Sequence, residues 1–223
     1  MKYDPQKHHR PFDLAQGRRS IRLKGYDYTQ PGAYFVTICA YQRMHVFGEV
    51  INGEMVLNET GKIARDEWFK TAEIRPYVKL YEDEFVVMPN HAHGIIRIVE
   101  NVQDWVEKRT GQRPVPTAES FGKPVKGSIP TIVRAYKSAV TYAVNGAQNM
   151  RGAVLWQKNY YEHVIRNDRE LNNIGWYILN NPLSWQLDRD NPQNIRKLSP
   201  PEKVEEYVKD VEEMVLKLKA DPQ

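Results

Sequence analysis

Cysteine is almost missing from this chain: Cys39 is the only one in 223 residues. That excludes an internal disulfide framework and any cysteine-rich zinc or iron–sulfur site, and it makes a reducing cytosol the expected setting. No run of about 18 apolar residues occurs, and Met1 to Arg10 are polar, so neither a membrane span nor a secretory signal is expected. There is no Gly-rich phosphate loop, so nothing points to nucleotide-driven chemistry. The sequence has no internal repeat. It also lacks the basic and aromatic signature of an RNA-recognition domain.

Core-forming residues are plentiful. Hydrophobic residues make up 41 % of the chain and aromatics 11 %, which excludes wholesale disorder. The length suits one compact domain with extensions, or at most two small domains. The net charge of +4 is unevenly placed. Residues 1–30 hold seven Lys/Arg against three Asp, and residues 122–142 add Lys123, Lys126, Arg134 and Lys137 with no acid. From Pro201 onward seven acids face four lysines. Basic patches on a near-neutral body suggest a polyanionic partner such as nucleic acid.

Along the chain, residues 1–30 read as a basic arm carrying Arg18, Arg19, Arg22 and Lys24. Ala33 to Tyr41, rich in β-branched and aromatic residues, reads as a buried strand. A hairpin turned at Asn52-Gly53 spans His45 to Leu57. Asn58 then caps a helix with Ile63, Ala64, Trp68 and Ala72 on its inner side. A second strand is expected over about Val78 to Met88, and Pro89-Asn90 turns the chain into a third, His91 to Val99. Periodicity fails from Glu100 to Gly127, so residues 100–127 are expected to form a flexible loop. Ser128 caps the next helix, whose stripe is Ile132, Val133, Tyr136, Val140, Ala143 and Val144. A fourth strand runs from about Leu155 to Ile165. Asn167 and Glu170 have capping-box spacing for a helix through Asn180, stopped by Pro182. The order β-α-β-β-α-β predicts an α+β, ferredoxin-like fold. Its antiparallel sheet should carry helices on one face, leave the other free for a site, and be followed by one more helix.

Chemistry concentrates at His91-Ala92-His93. Alternation along a strand puts both imidazoles on one face, together with Ile95 and Arg97, where two side chains can reach one divalent cation. On the helix after the last strand, Asn173, Tyr177 and Asn181 share a polar stripe, while Leu171, Ile174 and Ile178 form the packing side. Tyr136 reads as core. Tyr160 and Tyr161 face opposite sides of their strand, and His163 stays open between a DNA contact and a sheet partner. Arg18, Arg19, Arg22, Lys24, Arg97, Arg134 and Lys137 are the phosphate-contact candidates.

Three ordered motifs give the sequence a family resemblance. Val86-Val-Met-Pro-Asn-His-Ala-His93, the strand Trp156 to Asn167 and Tyr177-Ile-Leu-Asn-Asn-Pro182 together resemble the single-tyrosine HUH transposases. The match is nearest to the REP-associated tyrosine transposases of bacteria, and Arg19 to Tyr28 fits the same group; the resemblance covers roughly residues 18–185. It implies that Tyr177 is the nucleophile and that His91, His93 and Asn181 hold Mg²⁺ or Mn²⁺. Alanine at the middle of the histidine motif is a mild departure. The implied activity is that of a DNA endonuclease that nicks and rejoins hairpin-containing single-stranded DNA through a 5′-phosphotyrosine link. The implied protein is a monomer rather than a dimer, cytoplasmic and nucleoid-associated.

The expected organisation is thus a basic arm (1–30), a nuclease domain (31–185) and an acidic amphipathic tail helix (186–223). Val204, Val208, Val211, Val215 and Leu218 lie on one side of that tail. The competing expectation is a non-catalytic, domesticated single-stranded nucleic-acid-binding protein on the same sheet.

Overall fold

The computed structural model describes residue 23, residues 25–100, residues 104, 105, 107, 110 and 111, residues 125–188 and residue 191. The expectations for most of the N-terminal arm and for the tail beyond residue 191 therefore lie outside the described residues.

Strand β1 (Gly32–Cys39) is the centre of the sheet. It pairs antiparallel with β6 (His91–Ile98) on one side and with β7 (Tyr161–Ile165) on the other. The far side of β6 takes two short strands, β4 (Val78–Lys79) and β5 (Phe85–Met88). The crossovers are helical: α1 (Glu59–Ile74) joins the hairpin β2 (Gly48–Ile51) and β3 (Glu54–Leu57) to β4, and α2 (Ile129–Ala147) precedes β7. This is the split β-α-β-β-α-β order expected from the sequence. It is followed by α3 (Asp168–Asn180).

Local signals explain most boundaries. Asn52 and Gly53 both take positive φ, 53° and 80°, as a two-residue hairpin of this twist requires. Asn58 Oδ1 accepts from the Gly61 amide at 3.0 Å and starts α1. Asn167 Oδ1 does the same for the Glu170 amide at 2.9 Å. The Glu170 carboxylate reaches the amide of Arg166, one residue earlier than a standard capping box would have it. Ser128 is the N-cap of α2 by position, but its hydroxyl donates to Val125 O instead of accepting from the helix.

The structure differs from the sequence reading in four places. The second strand is broken: between Lys79, opposite Arg97, and Phe85, opposite Gly94, lie five residues against two on β6. The surplus is taken up in a 3₁₀ turn, Glu82–Glu84, whose Glu84 turns inward to ion-pair with Arg97. The fourth strand begins at Tyr161; of the stretch before it, Trp156 makes a single bridge to Ala40. Inside the expected loop, Asp104, Trp105, Glu107 and Thr110 are helical, and Trp105 packs on Tyr77 with ring centroids 5.4 Å apart.

The fourth difference positions the site. On the helix-covered face, Tyr34, Val36 and Ile38 of β1 and Ala92, Ile96 and Ile98 of β6 pack with Trp68 of α1 and Ile132, Val133, Tyr136 and Val140 of α2. The opposite face is not bare. There Phe35 and Ile95 meet Ile174 and Ile178, so α3 lies across it and brings Tyr177 to the histidines. Gly94 lets Trp68 close onto the helix-covered face, because a Cβ at that position would meet Trp68 Cζ2 at 2.4 Å.

Candidate metal centre

His91 and His93 stand at the start of β6, 0 % and 5 % exposed. Their Nε2 atoms are 2.8 Å apart. Asn90 fixes the first ring: its Nδ2 donates to Arg43 O, which turns Oδ1 toward His91 Nδ1 at 2.8 Å. An amide oxygen only accepts, so His91 Nδ1 carries the proton and Nε2 offers a lone pair. Thr37 Oγ1 lies 2.9 Å from His93 Nδ1, a partner able to hold the same tautomer on the second ring. Two nitrogen lone pairs this close repel unless a proton or a cation joins them. Ligands at neighbouring positions around a metal, each about 2.1 Å from it, sit about 3 Å apart, so the pair is spaced as two ligands of one ion.

Tyr177 approaches from α3. Its Oη is 2.9 Å from His93 Nε2, and its ring meets those of His93 and Phe35 edge-on at 5.1 and 6.2 Å. Of the stripe expected to face the site, Tyr177 does so, with Ile174 and Ile178 on the packing side. One turn on, Asn181 is completely buried, and neither its Oδ1 nor its Nδ2 has a hydrogen-bond partner. A buried polar group without a partner costs roughly 1–3 kcal/mol, so this amide is placed there for something other than stability.

A residue missed in the sequence completes the cluster. Asp188, 3 % exposed, brings a carboxylate oxygen close to both imidazoles, with all three ligand atoms within 4.8 Å of one another. The short 3₁₀ turn Trp185–Leu187 delivers it, closed by the Asp188 amide donating to Trp185 O and by Asn191 Nδ2 donating to the same carbonyl. Trp185 packs on His91, centroids 6.1 Å apart, so the turn is seated on the histidine itself. Asp188 and Asn191 are therefore buried parts of the folded domain, beyond residue 185 where the sequence reading ended it. The Trp185-to-Asp188 spacing, one apolar anchor three residues before an acid, was the only signal available. Two imidazoles and a carboxylate suit a divalent cation.

The predicted DNA contacts are dispersed. Arg18, Arg19, Arg22 and Lys24 lie outside the described residues. Arg97 shares the face of the histidines, but its guanidinium forks onto Glu84 and sits 5.1 Å over the Tyr81 ring. Arg134 is exposed on α2. Lys137 donates to the carbonyls of Gln157 and Lys158, at 2.5 and 3.1 Å, and burial pushes its ammonium down to about 8. Both belong to the helix on the opposite face of the sheet from the histidines. His163 Nε2 lies 2.5 Å from Glu170 Oε1, tying β7 to the first turn of α3. Tyr136 is core, with its hydroxyl donating to Ala64 O and its pKa raised by burial. Tyr160 and Tyr161 pack on opposite faces, as their adjacency requires.

Among known proteins, the chain is 40 % identical over 177 residues to an uncharacterized protein of Haemophilus influenzae, covering 77 % of this chain and 92 % of the relative. It is 23 % identical over 157 residues to another protein of that organism, named "Putative REP-associated tyrosine transposase", covering 70 % of this chain and 73 % of the other. A solved REP-associated tyrosine transposase bound to a REP hairpin matches with TM-score 0.48 and 20 % identity over 75 % of this chain and 76 % of its own. A putative transposase from Deinococcus radiodurans matches with TM-score 0.39 and 19 % identity over 71 % of this chain and 97 % of its own. No protein-family model matches the chain. Among the described residues, no helix is long and apolar enough to cross a membrane.

Proposed function

We propose that this chain, which belongs to one family with its 40 % identical Haemophilus influenzae relative and resembles the REP-associated tyrosine transposases, is a metal-dependent DNA endonuclease and transposase. In this reading it nicks and rejoins hairpin-containing single-stranded DNA through a 5′-phosphotyrosine intermediate. The observation that carries the reading is Tyr177 Oη at 2.9 Å from His93 Nε2, which is itself 2.8 Å from His91 Nε2. A phenol touching the metal-binding edge of an imidazole pair has little structural purpose and a direct chemical one.

His91, His93 and Asp188 would hold the cation, with Asn181 Oδ1 as the further oxygen; Asp188 extends the ligand set the sequence implied. When bound, Mg²⁺ or Mn²⁺ supplies charge that polarises the scissile phosphate and favours the phenolate over a phenol of ordinary pKa near 10. The residues of the chain do the positioning. The backing of Ile174 and Ile178 fixes the height of α3 over the sheet, and Phe35 limits the swing of the Tyr177 ring. Tyr177 Oη attacks the phosphorus as its proton leaves to solvent. The bond to the 3′ oxygen breaks, that oxygen takes up a proton, and the 5′ phosphate stays on the tyrosine. Reversal by a 3′-OH rejoins the strand, and since the phosphodiester energy is conserved, no nucleotide is consumed.

The test is a denaturing-gel adduct assay with labelled single-stranded DNA hairpins from repeats flanking the native gene. A slow-migrating species that requires Mn²⁺ or Mg²⁺ and is lost in Tyr177→Phe supports the reading. Hairpin binding with no adduct under either cation contradicts it and favours the non-catalytic binding protein.

A further inference from the structure

Between the second half of α2 and residues 149–158 lies an open groove of about 930 Å³ that the proposed reaction does not use. Lys137, Arg151 and Lys158 line it, with no carboxylate among the lining residues. Several cations elsewhere pair with acids: Lys62 with Glu59, Arg65 with Asp66, Lys70 with Glu67 and Arg97 with Glu84. Lys137 is half-buried, and its ammonium meets two backbone carbonyls. A cation withdrawn from water without a counter-ion is costly unless a ligand brings the anion. Beside these charges stands Tyr142, 84 % exposed, the most exposed of the large hydrophobic side chains described. An aromatic plane among unpaired cations is the composition of a single-strand binding surface, where bases stack and phosphates meet charge.

We propose that this groove seats the backbone of the DNA substrate, with Arg151 and Lys158 on phosphates and Tyr142 stacked on an unpaired base. The inference rests on the nuclease reading and gives it a second contact surface. The groove wall is joined to the site through the backbone. Gln157 donates its amide to Cys39 O, and Cys39 is the register partner of His91. The groove wall thus adjoins the end of the sheet where the histidines begin.

Fluorescence anisotropy tests this, using a labelled DNA hairpin with a single-stranded flank, titrated at several salt concentrations. Phosphate contacts carry no sequence information, so any hairpin of this form serves. Both targeted cations are exposed, and circular dichroism checks that the variants stay folded. In Arg151→Gln/Lys158→Gln the slope of log affinity against log salt should fall by about 1.5, two phosphate contacts' worth. Tyr142→Ala should weaken binding about tenfold with the slope kept. Unchanged slope and affinity in both variants overturn the groove, and adducts still formed on Tyr177 would leave the nuclease reading standing. Absence of hairpin binding by the parent protein also overturns the groove, while the nuclease reading is decided separately by the adduct assay on the flanking repeats.

Discussion

Tyr177 Oη and His93 Nε2 are joined at 2.9 Å across the boundary between α3 and the sheet, although 84 residues separate them in the chain. The phenol's ring is held by Phe35 and His93 independently of its hydroxyl. Tyr177→Phe should therefore unfold within about 1 kcal/mol of the parent, the net worth of one hydrogen bond. Thermal or urea denaturation checks this, and a much larger loss would assign the hydroxyl a structural role.

The His91, His93 and Asp188 cluster makes a prediction about metal independent of any reaction. Mn²⁺ should raise the melting temperature of the parent, since it binds the folded state alone. Asp188→Asn, which keeps the side chain's size, should weaken Mn²⁺ binding by at least about tenfold as read by electron paramagnetic resonance or calorimetry. Equal affinity in parent and variant would remove Asp188 from the ligand set.

How much of this could be read beforehand follows from what is local. The Asn52-Gly53 turn, the Asn58 and Asn167 caps and the alternation of His91 and His93 are dictated by near neighbours, and each stands where the sequence put it. The break in the second strand was hidden because the ion pair that accompanies it, Glu84 with Arg97, joins residues 13 apart. Asp188 was hidden for a similar reason. Its role depends on Trp185 finding His91, a contact across most of the domain. The apolar stripe of α3 was visible, but that it caps the second sheet face is a tertiary fact.

Glu170 ties α3 to β7 in the site's support, accepting from the Arg166 amide and facing His163. Burial acts to raise its pKa, but the hydrogen bonds from Arg166 and His163 prevail and hold it below the usual carboxylate value. A carboxyl depressed in the folded state contributes stability that is full above its unfolded pKa and lost as pH falls through the folded one. The stability gap between the parent and Glu170→Gln should thus be widest near neutral pH and close below about pH 4. A gap independent of pH would contradict the assignment.

Gly94 lies on β6 between His93 and Ile95, with Trp68 stacked on Phe85 directly above it, centroids 4.4 Å apart. Gly94→Ala forces a methyl into the indole and should cost about 1–3 kcal/mol. Chemical denaturation measures it, and a neutral or stabilising result would mean that Trp68 can move aside freely.

The most direct test of the account is mass spectrometry of the protein after reaction with hairpin DNA and Mn²⁺, followed by nuclease and trypsin digestion. The account predicts a nucleotide mass on the peptide Glu170 to Arg189, localised by fragmentation to Tyr177. A nucleotide on another tyrosine, or cleaved DNA with every tyrosine unmodified, would contradict it.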